Sequence, residues 1–445
     1  MAIAHPDPSS PVSFAEALRT WTRIGLLSFG GPAGQIAVMH RVLVEEKRWI
    51  AEERFLHALN YCMLLPGPEA QQLATYVGWL LHGTRGGLAA GTLFVIPGFL
   101  AILAFSVVYV TWGHHPLVEG VFLGLKAAVV ALVIQAVLRV GRRALRNRLT
   151  LGVAALALIA LALFDAPFPL VIAAAALGGY LWTRSGRREF LFTASASENI
   201  PSAAAPHVRP SAGRAVKLLA IWLPLWLLPV GALALFAGPD HVLTQVGVFF
   251  SKMAVVTFGG AYAVLTYVAQ QAVENYAWLT PTQMLDGLGL AETTPGPLIL
   301  VVQFVGFLAA YRAGLEPPLL TAIFAACLTV WVTFVPCFLW IFLGAPYVES
   351  LRQHEALSGA LAAITAAVVG VIAHLALWFT VHALFAQVSP RTLLPDPGTI
   401  RWTLLLLTSL ALVMTFALKW NLARILVVCA AMGVGLALSP VTVSR

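Results

Sequence analysis

Ser28-Phe29-Gly30-Gly31 returns later in the chain as Thr257-Phe258-Gly259-Gly260, and Pro66-Gly67-Pro68 returns as Pro295-Gly296-Pro297. A single offset of 229 residues relates both pairs, and it also relates Trp49 to Trp278 and Arg23 to Lys252. Two motifs, a tryptophan and a cationic position in one register mark an internal duplication. The duplication persists after a change of loop length: Pro97 pairs with Pro336, and Lys126-Ala-Ala-Val-Val pairs with Thr365-Ala-Ala-Val-Val, both at offset 239. A duplicated, helix-breaking, glycine-rich motif in an apolar chain is the pattern of a membrane transporter whose site lies between two related halves.

Composition agrees. Of 445 residues, 60% are hydrophobic and 10% charged, a balance that cannot cover the surface of a water-soluble fold. Apolar stretches of bilayer-spanning length recur, for example 93–110, 127–140, 218–236, 321–343 and 404–418. The first eleven residues are polar and proline-rich and lack the pattern of a cleaved signal, so the first spanning segment is expected to serve as an uncleaved one. Cys62, Cys327, Cys337 and Cys429 are scattered in or beside apolar segments without metal or redox spacing, and read as packing residues. No cofactor or metal is expected.

The net charge of +8 is clustered. Arg139, Arg142, Arg143, Arg146 and Arg148 form one group, and Arg184, Arg187, Arg188, Arg209, Arg214 and Lys217 lie in or beside a second polar stretch. Both groups read as cytoplasmic by the positive-inside rule. With no soluble domain to carry them, they do not read as a nucleic-acid surface.

The fold expected is an all-α polytopic membrane protein with two homologous six-segment halves. The segments fall near 16–40, 55–82, 87–112, 118–140, 149–165 and 168–183, then near 244–269, 283–311, 317–345, 357–386, 400–417 and 421–439. Residues 1–184 and 244–445 form the two repeats. Residues 185–243 supply a flexible cytoplasmic linker and one unmatched segment near 215–237. An odd number of connecting segments inverts the second half, giving thirteen crossings with the amino terminus cytoplasmic. That count assumes that the glycine motifs pass through the membrane and do not turn back as re-entrant loops.

Gly30-Gly31-Pro32 should break its helix, because proline removes a backbone donor and glycine admits dihedrals that other residues resist. Unwound backbone at membrane depth is tolerated only around a protein-lined cavity, and a half-helix beginning there aims N–H groups and a positive dipole end into it. Four such breaks, at Ser28, Phe29, Gly30 and Gly31, at Pro66, Gly67 and Pro68, at Thr257, Phe258, Gly259 and Gly260, and at Pro295, Gly296 and Pro297, suit a small anion. Arg23 and Lys252, five residues before the hydroxyls of Ser28 and Thr257, and Lys126 are candidate intramembrane ligands; for Arg23 and Lys252 the alternative is snorkelling to the interface. Glu69 and Glu292 have no counterpart in the other half, where Leu298 and Met63 stand. A carboxyl group at such depth suits a coupling proton, or neutralises a neighbouring cation. Gln35, Gln71, Gln72 and Gln303 could bond an oxyanion or join helices.

Ser-Phe-Gly-Gly-Pro at 28–32, Leu-Pro-Gly-Pro-Glu-Ala-Gln-Gln at 65–72, Thr-Phe-Gly-Gly-Ala-Tyr-Ala-Val at 257–264 and Ala-Glu-Thr-Thr-Pro-Gly-Pro at 291–297 together resemble the chromate ion transporter family, in its long two-domain bacterial form. The resemblance covers nearly the whole chain. It implies an inner-membrane carrier that exports chromate and confers resistance to it, driven by the proton motive force. The residues alone point to a compact dianion, chromate or sulfate, without separating the two. A passive anion channel is the alternative with the same architecture. An intramembrane enzyme is the remote one, since His82, His114, His115, His374 and His382 show no His-Glu-x-x-His spacing and no Walker motif is present. Apolar outward faces are compatible with a homodimer.

Overall fold

The structure, a computed structural model, describes residues 12–63, 65–187, 189–190, 211–258, 260–345, 354–389 and 394–439. Most of the linker expected at 185–213 therefore lies outside the described residues, as do Leu64 and Gly259. The described chain is helical, apart from two isolated bridges in the segment 385–400. Five of its helices are long and apolar enough to cross a membrane.

The first half opens with short helices. α1 (Phe14–Leu27) ends at the first glycine motif, and α2 (Gly31–His40) runs into a π-helical turn, Arg41–Glu46. Lys47 Nζ lies 2.8 Å from Glu16 Oε1, and Arg23 Nη1 lies 2.9 Å from Glu46 Oε2. A continuous helical path would separate residues 16 and 47 by about 45 Å, so the chain turns back and the glycine motif is the tip of a hairpin. α3 (Glu52–Cys62) and the inner arm of α4 (Glu69–Trp112), residues 69–81, form a second hairpin with Pro66-Gly67-Pro68 at its tip. Its two ends stay on the same face: His40 reaches Glu52 at 3.0 Å, and His82 reaches the Val12 carbonyl at 2.7 Å. At His82 and Gly83 the backbone of α4 leaves helical geometry. Its outer arm then runs from 84 to 112, followed by α5 (Pro116–Ala144), α6 (Arg148–Phe164) and α7 (Phe168–Arg184).

After α8 (Ala212–Phe236) the same order returns. α9 (Val242–Val256), α10 (Ala261–Ala269) and a π turn, Gln270–Asn275, form one hairpin; Phe249 packs against Tyr276 and Trp278, each at 5.7 Å. α11 (Pro281–Thr293) and α12 (Val301–Arg312) form the next, with Arg312 Nη1 donating to the Trp278 carbonyl and to Gln283 Oε1. α13 (Pro318–Gly344), α14 (Glu355–Leu384), α15 (Trp402–Leu412) and α16 (Leu422–Ala437) complete it. The repetition reaches single dihedrals. The left-handed residues Arg48 and Ala277 have φ of 53° and 50°, and Asp165 and Lys419 have 49° and 51°.

The stretches near 16–40, 55–82, 244–269 and 283–311, expected as whole crossings, are thus hairpins. Arms of nine to fifteen helical residues rise about 13–23 Å, short of a ~30 Å hydrocarbon core, while their apolar surroundings give them the composition of a span. The halves interlock: α5 packs against α15 and α16 of the other half, and α14 packs against α6 and α7. Glycines make both contacts close, Gly433 lying on the Gly120 carbonyl and Gly359 beside that of Gly179.

Candidate functional site: crossed hairpin tips

The four tips meet across the two halves. Gly67 N–H donates to the Thr257 carbonyl, and Gly296 N–H donates to the Ser28 carbonyl, each at 2.8 Å. These are the same bond twice, because 67 and 28 become 296 and 257 under the duplication. Gly67 and Gly296 have φ of 125° and 91°, conformations that glycine adopts without strain. Gly98 lets the second proline tip approach the outer arm of α4: a Cβ there would overlap the Pro295 carbonyl oxygen. Its counterpart Cys337 stands against Gly67.

Two helices begin at the tips. α2 starts after Gly30, at φ 84°, and α10 starts after Gly260, at φ 95°. Their first-turn N–H groups have no intrahelical partner and lie at the positive end of each helix dipole. The hydroxyls contribute less, since Ser28 Oγ donates to the Ile24 carbonyl and Thr257 Oγ1 to that of Met253, both at 2.6 Å. Backbone N–H groups are therefore the donors that the tips offer an anion. Phe29 is exposed and Phe258 partly so, each on its own tip. Of the candidate residues, Ser28, Gly67, Thr257 and Gly296 form the crossing bonds, and Gly31, Gly260 and Pro295 face residues of the other half; Gly30, Pro66, Pro68 and Pro297 adjoin them in sequence.

The carboxylates sit beside the tips. A Cβ on Gly260 would lie 3.4 Å from Glu69 Oε1, so this carboxylate faces the start of α10. Glu292 accepts a hydrogen bond from Tyr262 OH, and that hydroxyl faces Gly31. Arg139, grouped by sequence with the interfacial arginines, is exposed and donates to Gln135 Oε1 one turn earlier on α5 at 3.1 Å. Of the amides, Gln35 holds the Gly296 carbonyl, Gln72 that of Pro66 and Gln303 that of Phe99, at 2.6, 2.7 and 3.0 Å, while Gln71 holds Thr75 Oγ1. Gln35 and Gln303 thus join separate elements, one of the two readings expected, while Gln71 and Gln72 bond within their own hairpin.

The structure does not bring Arg23 and Lys252 to the tips. Both lie on exposed faces, and the Arg23 guanidinium is paired with Glu46 on the other arm of its hairpin. A re-entrant helix keeps its entry side near the interface, where a long cation reaches water and a carboxylate. Lys126 is largely but not fully buried, with its Nζ 3.2 Å from Asp286 Oδ1. Asp286, Tyr109 and Tyr262 were missed as site residues, because none lies in a repeated motif. The signal available was an acid inside an apolar helix, Asp286 in Leu285–Leu290.

No solved structure matches this chain significantly. It is 33% identical to a chromate transport protein of Pseudomonas aeruginosa over 370 residues, covering 81% of this chain and 80% of the relative. It is 30% identical to one of Cupriavidus metallidurans over 353 residues, with coverage of 79% and 78%. A probable chromate transport protein of Synechococcus elongatus is 28% identical over 372 residues, with coverage of 84% and 85%. The family described as chromate transporter matches residues 15–180 and 244–436, the two segments that each carry a glycine motif, a Pro-Gly-Pro tip and the helices behind them, so the chain belongs to the chromate transporter family.

Proposed function

We propose that this protein is a secondary transporter of the bacterial inner membrane that exports chromate from the cytoplasm and thereby confers resistance to it. The oxyanion binds where the four tips cross, on the N–H groups that begin α2 and α10. The reciprocal pair of bonds from Gly67 to Thr257 and from Gly296 to Ser28 carries this reading, because each joins the break before a half-helix to a proline tip of the other half, and Tyr262 of α10 faces Gly31 at the start of α2.

Four hairpins that return to their entry face reduce the thirteen crossings expected to nine, four in each half plus α8, where α15 is counted with the helical turn Val413–Ala417 that lengthens it. The parity is unchanged. The amino terminus and both arginine groups stay on the cytoplasmic side, and the second half is inverted. The contact of Gln270, at the base of the second-half hairpins, with Asp165, at the far end of α6, supports that inversion.

Efflux of a dianion from a cell that is negative inside is favourable by about 2.3 kcal/mol per charge per 100 mV. A coupled proton adds pH control to that drive, and Glu69 and Glu292 are its candidate carriers at the tips. The test is flux of radiolabelled chromate into inside-out vesicles, with and without excess sulfate and an imposed pH gradient. Saturable, sulfate-sensitive accumulation is expected. Non-saturable flux identifies a channel, and absence of chromate flux alongside sulfate flux reassigns the substrate. An unchanged pH dependence in Glu69→Gln/Glu292→Gln removes these residues as proton carriers.

A further inference from the structure

Away from the tips, one charged pair is buried between the halves. Lys126 on α5 and Asp286 on α11 lie 3.2 Å apart, with 15% and 4% of their side chains exposed. Tyr109 OH, from the outer arm of α4, donates to Asp286 Oδ2 at 2.9 Å. The other carboxylate oxygen, Oδ1, has the ammonium as a charge partner but no donor aligned on it, although it is fully enclosed. No second partner of the ammonium stands among the described residues. Gly289, one turn along α11, packs on Leu125 and so keeps this stretch of the two helices close.

A polar file leads outward from the pair. Gln283 lies three residues before Asp286 on α11, on the same face of the helix. Gln283 Oε1 accepts from Arg312 Nη1 at 3.0 Å, and Arg312 is exposed at the base of the α11–α12 hairpin. The charged and titratable groups facing Asp286 are thus Lys126 from α5 and Tyr109 from α4, while Arg312 from α12 stands one step further out on Gln283. Residues of both signs, set in file from the interior to one surface, suit an anion that must leave a cation behind.

We propose that Lys126 and Asp286 form an exchange pair on the exit path, in which the carboxylate and the transported oxyanion compete for one ammonium. With Asp286 ionised, Lys126 is neutralised and does not hold the anion. When the carboxylate takes up one proton, Lys126 keeps its own three and binds the tetrahedral dianion; release of the anion and loss of the Asp286 proton restore the pair. Proton and anion therefore bind together and move in the same direction. The second half has Thr365 where the first has Lys126, so the device exists once. This inference rests on the export reading above and names the direction of its proton.

The test uses the full-length protein in inside-out vesicles with chromate as the transported probe. Sulfate serves as competitor, since it remains a dianion over the pH range in which chromate itself protonates. Wild-type flux and sulfate competition are expected to strengthen as the bath is acidified. Asp286→Asn is expected to flatten that dependence while transporting, and Lys126→Met to raise the KM for chromate about 10- to 100-fold. Breaking a buried pair from one side can unfold a protein. Lys126→Met/Asp286→Asn keeps the volume without the charge, and is expected to recover the wild-type melting temperature but not the wild-type KM. An acid response in Asp286→Asn equal to wild type, or a wild-type KM in the double variant, overturns the exchange pair alone. Flux driven by an acid lumen in place of an acid bath overturns its direction, and wild-type vesicles without anion flux overturn the export reading with it.

Discussion

The two sets of hairpins share a backbone and differ in what fastens their bases. In the first half the fastening is ionic and exposed. Lys47 holds Glu16, Glu46 holds Arg23 and Arg41, and His40 lies between Glu45 and Glu52. In the second half Glu16, His40, Arg41 and Glu46 are matched by Gln245, Ala269, Gln270 and Asn275, and the base is fastened by aromatic rings. Tyr276, the counterpart of Lys47, stacks on Trp278 with centroids 4.3 Å apart, and Phe249 meets both. Lys47 instead stands over Trp49 at 5.9 Å. The π turn and the left-handed residue after it occur in both halves, so backbone geometry is what duplication preserved; the side chains follow the medium at each base.

The largest effect is expected where the halves cross. Gly98→Val places branched carbons against the Pro295 carbonyl and Gly296, and should abolish transport in protein that still reaches the membrane. Cys337→Ala, at the matching place, removes one sulfur from beside Gly67 and should retain most activity. Vesicle flux per unit of folded protein distinguishes them, and equal loss from both would mean that the tips are not asymmetrically packed.

Next come the bases. Trp278, 6% exposed, anchors an aromatic cluster, and Trp278→Ala should cost about 3–5 kcal/mol of stability. Trp49→Ala should cost about 1–2 kcal/mol, because a partly exposed ring under an ammonium contributes less. Melting temperatures of the purified variants give the order, and a larger loss from Trp49 would reverse the contrast drawn between the halves. Smaller still, Lys47→Gln and Glu16→Gln should each cost less than about 1 kcal/mol, and that difference should vanish in high salt. Trp278→Ala should keep its deficit there.

The smallest effect is expected from Arg23→Gln and Lys252→Gln, which are predicted to change chromate KM by less than about threefold, as suits exposed charges far from the bound ion. A tenfold rise in both would bring these cations back to the site as a quasi-symmetric pair.

Several features were legible in the residues. Gly30, Gly31, Gly67, Gly260 and Gly296 signalled broken helices because few other residues adopt the dihedrals needed, and their common register signalled that the breaks belong together. What the residues did not disclose was the direction of the chain after each break. An apolar run such as 16–40 has the same composition whether it crosses a membrane or turns back within the protein. Only Glu16 meeting Lys47, and Phe249 meeting Trp278, decides between them. Asp286 escaped notice for a related reason: its meaning depends on Lys126, which is 160 positions away and in the other half.

The sequence by itself determined the class of the molecule, its duplication and the places where its helices break, because these follow from hydropathy, register and the dihedral limits of glycine and proline. Tertiary structure decided that the breaks are hairpin tips, that each tip is bonded to one from the other half, and that Lys126 belongs to Asp286 while Arg23 belongs to Glu46. Those outcomes depend on which groups meet across the fold, and the strength of a charge or a hydrogen bond in an apolar interior is set by its partner more than by its own identity.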